Sequence, residues 1–512
     1  MSKRRGGREA RLDARSAELP EDVKPVRLGL AGNRYHSLTE PEMDRIHQSV
    51  LEILSTVGLA GAPQSTIDYL TKAGAEVCPK NGRLLFPKSY IEDVLAKCNR
   101  KPLLAARDPA WDIHPYGENT YTATAGAAVN VVDLENRSYR DSTLKDLYDS
   151  ARLMDELEHI HYFQRTMVAR DIADPYEMDI NTLYASLSGT RKHVATSWTT
   201  AENVRKSLPL LFELAGSEAA FRARPFVSMS CCFVVPPLLL TEDACQCLEV
   251  AAQNGMPVLL LSAGQAGATA PAPLALSIAQ EMAECLAGIA YMEAVQPGAP
   301  FLIGPWPFVV DLRTGMMCGG SGEQALLSSG CGQMGRYYDL PTSVPAGMTD
   351  SKMPDAQSGY EKGYNYALVL NSGANCVQEA AGMHASLLGF SMEGMVLDND
   401  ALGAALRTVR GIEVNEDNLN IDVLRECTVD GPGHYLAHDD TISRMQRDYL
   451  YPEQFDRFDP KLWEELKSPL ALERAQSYVQ DRLQNYHPQH IPPELDKNFR
   501  ARFPIQLQNK VS

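Results

Sequence analysis

The sequence predicts an α/β chain organised as a (β/α)8 TIM barrel, flanked by an N-terminal helical segment and a C-terminal helical extension. From residue 105 onward, short apolar or β-branched runs alternate with amphipathic stretches eight times, over about 300 residues. The 512 residues are 44% hydrophobic and 22% charged, enough apolar material for one large core. An open doubly wound sheet is the alternative architecture with the same alternation.

Residues 1–30 are polar and rich in Arg and Glu, and are expected to form an unstructured tail. Residues 31–104 read as the helical segment. Thr39 followed three residues later by Glu42 is a capping box, and Ile46, Val50, Ile53, Leu54 and Val57 keep helical spacing until Gly58 ends the element. Further helices are expected over 64–72 and 88–98.

Residues 105–430 supply the barrel. The eight strand candidates are YTATA (121–125), YFQRTMV (162–168), HVATSW (193–198), PFVSMSC (225–231), PVLLLS (257–262), PFLIG (300–304), LPTSVP (340–345) and ANCVQ (374–378). Helix candidates between or after them cover 144–157, 200–214, 241–253, 275–295, 323–338, 356–371 and 392–409. The stretch VNVVDLENRSYR is expected to add a hairpin before the first of these. Residues 431–512 form the charged, helical C-terminal extension.

The net charge of −17 argues against nucleic acid and anionic membrane surfaces as partners. Small molecules and proteins fit better. Eleven cysteines at irregular positions, several inside apolar runs, point to a reducing cytoplasm. No signal peptide is expected from MSKRRGGREARLDAR, and the longest apolar runs fall well short of the roughly 20 residues that span a bilayer. Self-association into a homo-oligomer is compatible with everything above.

In such a barrel the chemistry sits on the loops that follow the strands. That rim carries Trp198, Trp306 and Phe308, with Tyr360 and Tyr364 on the helix behind the loop GMTDSKMPDAQSGYEKGYNYA (347–367). Aromatic faces attract cations, above all quaternary ammonium groups. The competing reading of each ring is plain packing. Cys245-Gln-Cys247 places its thiols on different faces of a helix, and neither His159-Ile-His161 nor His434-Tyr-Leu-Ala-His438 reproduces a metal signature, so no bound metal is expected. The glycine-rich stretches GQAGATAP (264–271) and GGSGEQ (319–324) fit neither phosphate-loop pattern. Asp350, Lys352 and Asp355 read mainly as loop-shaping groups, with an imine-forming Lys352, as in an aldolase, the competing reading.

The motifs GGSGEQALL (319–327), LPTSVPAGMTDSKMPDAQSGYEK (340–362) and GHYLAHDDT (433–441), in that order, resemble those of the trimethylamine methyltransferase family, and the likeness runs from about residue 30 to the end. The resemblance implies a barrel that passes a methyl group from a methylated amine to the cobalt of a corrinoid (cobalamin), free or on a partner protein. The founding members carry pyrrolysine, and by analogy that residue would lie near 347–352; this chain has only the twenty standard residues. Relatives lacking pyrrolysine are associated with quaternary amines such as glycine betaine. A betaine nitrogen is already a permanent cation, so loss of a methyl releases a neutral amine without an electrophilic helper. The site expected is therefore Trp198, Trp306, Phe308 and Tyr360 facing the ammonium, Glu379 or Asp350 as counter-charge, and Gln265, Gln357 or His434 at the carboxylate end. A non-catalytic betaine-binding protein and a tertiary-amine enzyme are the alternative functions.

Overall fold

The computed structural model describes Pro20, Lys24 and residues 26–508, apart from Ala125 and Asp430. Eight parallel strands form its centre: β1 (Asn119–Thr122), β2 (Phe163–Gln164), β3 (Val194–Thr196), β4 (Val227–Cys231), β5 (Val258–Ser262), β6 (Phe301–Pro305), β7 (Ser343–Pro345) and β8 (Cys376–Gln378). All eight coincide with the runs expected from sequence. They fall in two sheets, one holding β2 to β6 in consecutive order and one holding β7, β8 and β1. The ladders do not continue from one sheet to the other; among the described residues isolated parallel bridges span the gaps, Ala123↔Tyr162 and Ala128↔Met167 between β1 and β2, and Ile303↔Thr342 between β6 and β7. The architecture is α/β and TIM-barrel-like.

Each strand feeds a helix: α1 (Leu144–Asp155), α2 (Pro175–Gly189), α3 (Ala201–Ala215), α4 (Glu242–Gln253), α5 (Leu274–Val295), α6 (Gly322–Tyr337), α7 (Ala356–Leu370) and α8 (Met392–Arg410). Six begin at a Ser, Thr or Asp whose side chain accepts a hydrogen bond from a first-turn N–H: Thr143, Asp174, Thr200, Ser321, Asp355 and Ser391. Caps of this kind fix where each loop ends and its helix begins. The hairpin expected before α1 is present, pairing Asn130–Asp133 with Ser138–Asp141.

Sequence reading passed over α2. Asn181, Thr182, Leu183, Tyr184 and Ser186 are all buried, so polar and apolar residues mix on every face and no stripe shows. The other correction concerns the amino-terminal tail. Most of residues 1–30 lie outside the described residues, but Val26 and Leu30 are buried, and Leu30–Ala31 pairs antiparallel with β1.

The helices Glu40–Glu52, Gln64–Ala73 and Lys88–Lys97 pack on α5, which explains why α5 is buried on nearly every face from Ser277 to Met292. Between the second and third of these helices lies a short antiparallel pair, Glu76–Val77 with Leu84–Leu85, that the helical reading did not include. The capping box at Thr39 is present as expected.

The C-terminal extension packs on the helix layer. Its helix Ala471–Asn485 packs on α8 and α1. Asp155, at the end of α1, accepts from Tyr486 and His490. Burial would raise that carboxyl, but hydrogen bonds from His490 and Thr190 outweigh it and hold it below the usual range. Lys192, just before β3, donates to the carbonyls of Met154, Leu157 and Ile160, and its ammonium lies 3.9 Å from the ring centre of Trp111. No described helix is long and apolar enough to cross a membrane.

Candidate functional site

Alternation along the strands sends one set of side chains inward, and several of them are polar. Gln164 donates to Ser230 at 2.8 Å, and Gln378 donates to the Tyr162 hydroxyl. His193 bonds the Ala105 carbonyl through Nδ1, which must therefore carry the proton, and leaves Nε2 to accept from Ser228 at 2.8 Å. Buried polar groups cost free energy unless paired, so these bonds hold β2, β3, β4 and β8 in one geometry.

One group in this region has no such partner. Glu379 follows β8 directly and is 2% exposed. Among the described residues no hydrogen bond or ion pair reaches its carboxyl, and Oε2 is fully enclosed. Its backbone sits at φ +56°, a region that non-glycine residues enter only when their surroundings force them to. Its N–H is fixed to the Thr124 carbonyl of the β1 end at 3.1 Å. Burial pushes the carboxyl well above the usual carboxylate range. The neighbouring Gln378 Oε1 is likewise enclosed without a donor. Consecutive residues at the end of β8 thus each carry an enclosed oxygen without a donor.

Cys232, just past β4, interacts electrostatically with both Glu379 and Arg165. Cys232 is solvent-exposed, and the protein around it raises its thiol pKa. Sequence reading missed Arg165. The available signal was a charged residue inside the apolar run YFQRTMV.

The nine expected site residues divide. Trp306 is buried at the end of β6, and its indole N–H bonds Ser343 of β7 at 3.3 Å, which turns the ring across the strand ends. Phe308 is buried two residues further on and pairs with Gln265 in a short parallel extension of β5 and β6. Asp350 accepts from the Gly319 N–H at 2.8 Å and from the Ser386 hydroxyl at 2.7 Å, so it ties together the loops after β6, β7 and β8. Its engagement is the loop-shaping role that its composition suggested.

The remaining four sit elsewhere or stand apart. Trp198 is buried, but its indole N–H bonds Ser207 of α3 at 3.0 Å, placing the ring in the helix layer. Tyr360 is 74% exposed and stacks edge-on against Tyr364. Gln357 lies exposed on α7 and donates to Glu361. His434 is exposed in the C-terminal extension. Lys352, the competing imine former, donates to the Asp350 carbonyl in an exposed loop, where nothing desolvates it.

A buried acidic pair lies behind β5. Glu281 and Glu284 share the Ser262 hydroxyl, while the Gly264 and Leu238 N–H groups hold their other oxygens. Burial and the adjacent charge push Glu281 well up, and burial pushes Glu284 up to about 7. All their acceptors are used internally. They brace the loops after β4 and β5. Among the described residues no group of three or more His, Cys, Asp or Glu is arranged to hold a metal ion.

A family model described as trimethylamine methyltransferase (MTTB) matches residues 4–506. The chain is similar to the trimethylamine methyltransferase MttB of Desulfitobacterium hafniense (strain DSM 10664 / DCB-2), 28% identical over 473 residues, which are 92% of this chain and 93% of that protein. It is also similar to the glycine betaine methyltransferase of D. hafniense (strain Y51), 28% identical over 470 residues, 91% of this chain and 96% of that one. A further relative is MttB of Methanosarcina barkeri, 29% identical over 477 residues, with 92% and 95% covered. Among solved structures, the monomethylamine methyltransferase of M. barkeri is similar over 89% of both chains, at 13% identity and a TM-score of 0.48.

Proposed function

This chain belongs to the trimethylamine methyltransferase family, and from that premise we propose that it moves a methyl group from a quaternary amine, glycine betaine foremost, to the Co(I) of a corrinoid carried by a partner protein. We read the two sheets and their bridging pairs as a closed (β/α)8 barrel with the reaction at the carboxyl ends of the strands. The free cysteines fit the reducing cytoplasm in which we place the protein.

The observation that carries this reading is Glu379. A carboxyl buried without a partner is unstable as an anion, and a permanent cation is the ligand that would restore its ionised form. Trp306 and Phe308 would supply ring faces beside it. The ligand is then held by charge and exclusion of water rather than by a proton donor, which suits a nitrogen that leaves as a neutral tertiary amine. The docked corrinoid supplies the Co(I) nucleophile. This chain's residues orient one methyl toward the opening and keep the ammonium desolvated. Leu312 and Met316, 73% and 61% exposed on the loop after β6, with Leu388 on the loop after β8, offer an apolar rim for the carrier to cover.

A second reading rests on the same group. Burial favours the neutral form of Glu379, which could hydrogen-bond a tertiary amine, as a trimethylamine enzyme would need. Incubation with cob(I)alamin and, in turn, glycine betaine, choline, tetramethylammonium and trimethylamine, followed by absorbance, separates the two. Methylcobalamin formed from the quaternary amines supports the proposal. Methylcobalamin formed only from trimethylamine replaces it with the second reading, and none from any of the four overturns both.

A further inference from the structure

The polar groups that follow β2 and β8 lack partners of opposite character. Arg165 follows β2, with its backbone fixed by the Ala195 carbonyl and the Ala127 N–H. Its side chain is half-buried, and among the described residues no hydrogen bond or ion pair satisfies its guanidinium. The nearest acid on that side, Asp179, is already engaged, accepting from the Thr199 N–H and hydroxyl and from Asn203. Burial lowers the Arg165 pKa, and the charge of Asp179, then that of Cys232, opposes this shift without a direct hydrogen bond or ion pair.

Arg165 and Glu379 both border the loop after β1, since the Ala127 N–H donates to the Arg165 carbonyl at 3.0 Å and a Cβ on Gly126 would lie 3.3 Å from the Glu379 Oε1, and neither side chain has a hydrogen-bond partner among the described residues. A simple organic cation would satisfy Glu379 and be repelled by Arg165. A simple anion would meet the reverse problem. Only a ligand with both charges answers both groups.

We propose that Arg165 is the specificity-determining residue that receives the carboxylate of a zwitterionic quaternary amine while Glu379 holds its ammonium end. The inference rests on the quaternary-amine reading above and narrows it from quaternary amines in general to betaines. The guanidinium fork suits a carboxylate, which it can bind through two parallel N–H···O bonds. Arg165 also rejects cations that lack the acid. This assignment replaces Gln265, Gln357 and His434 at the carboxylate end.

The test is calorimetric titration of the full chain with glycine betaine, choline and tetramethylammonium, for wild type, Arg165→Gln and Arg165→Lys, alongside thermal unfolding. Wild type is expected to bind glycine betaine at least 10-fold more tightly than choline. Arg165→Gln should weaken betaine roughly 10- to 100-fold and leave choline and tetramethylammonium unchanged or tighter, with Arg165→Lys between the two. Equal loss of all three ligands, or betaine binding unaltered in a folded Arg165→Gln protein, overturns the proposal. If Arg165→Gln does not fold, the wild-type ratio decides, since betaine and choline binding equally well also overturns it. Failure of wild type to bind any of the three ligands counts instead against the quaternary-amine reading itself.

Discussion

Gly126 and Glu379 are in such close contact that a Cβ on Gly126 would lie 3.3 Å from the Glu379 Oε1. The end of β1 thus leaves bare backbone where the carboxyl of β8 rests. Gly126→Ala should push the carboxyl aside and weaken binding of glycine betaine roughly 10-fold, at a cost in stability of about 1 kcal/mol or less. Calorimetry and thermal unfolding on the same preparation check both halves.

Glu379→Gln separates binding from stability. Burial raises the folded pKa above the ordinary 4.5, so the native state binds this proton more tightly than the unfolded chain. Wild-type stability from this group therefore falls as pH climbs from the unfolded value toward the folded one. Glu379→Gln removes that slope and should be more stable by about 1–3 kcal/mol at neutral pH, while losing most affinity for quaternary ammonium ligands. Denaturant melts at pH 5 and pH 8 measure the change in slope.

Trp306 is predicted to act through its ring face. Trp306→Leu should weaken quaternary ammonium binding by about 0.5–2 kcal/mol, with Trp306→Phe recovering part of it. Equal affinity in all three proteins would reduce Trp306 to packing.

Asp350 acts at one remove. Asp350→Ala leaves the Gly319 N–H and Ser386 hydroxyl without their acceptor and should loosen three loops together. The expected signature is a raised KM with a smaller change in kcat, and a stability loss of about 1–3 kcal/mol.

Lys192 belongs to the opposite end. Lys192→Met deprives three carbonyls of their donor and should destabilise the protein by about 3 kcal/mol, with ligand affinity unchanged in the folded fraction.

The sequence by itself determined the alternation that makes the architecture. β5 and β6 were legible because VLLLS and FLIG are short runs bounded by proline and glycine, and α3, α4 and α7 because caps and spacing are local signals. Glu379 was legible as a candidate because it directly follows a strand. What only the tertiary structure decided was which rim residues face one another. Trp198 and Trp306 look alike in sequence, yet one indole turns to α3 and the other to β7, because each N–H follows the hydroxyl that packing brings within reach. Tyr360 lies on a helix whose outer face no neighbour covers, and α2 hid because burial on all sides erases periodicity. The approach of Arg165 and Glu379 to the same loop after β1 brings together residues that follow β2 and β8, more than 200 residues apart in the chain, a relation that no local pattern encodes.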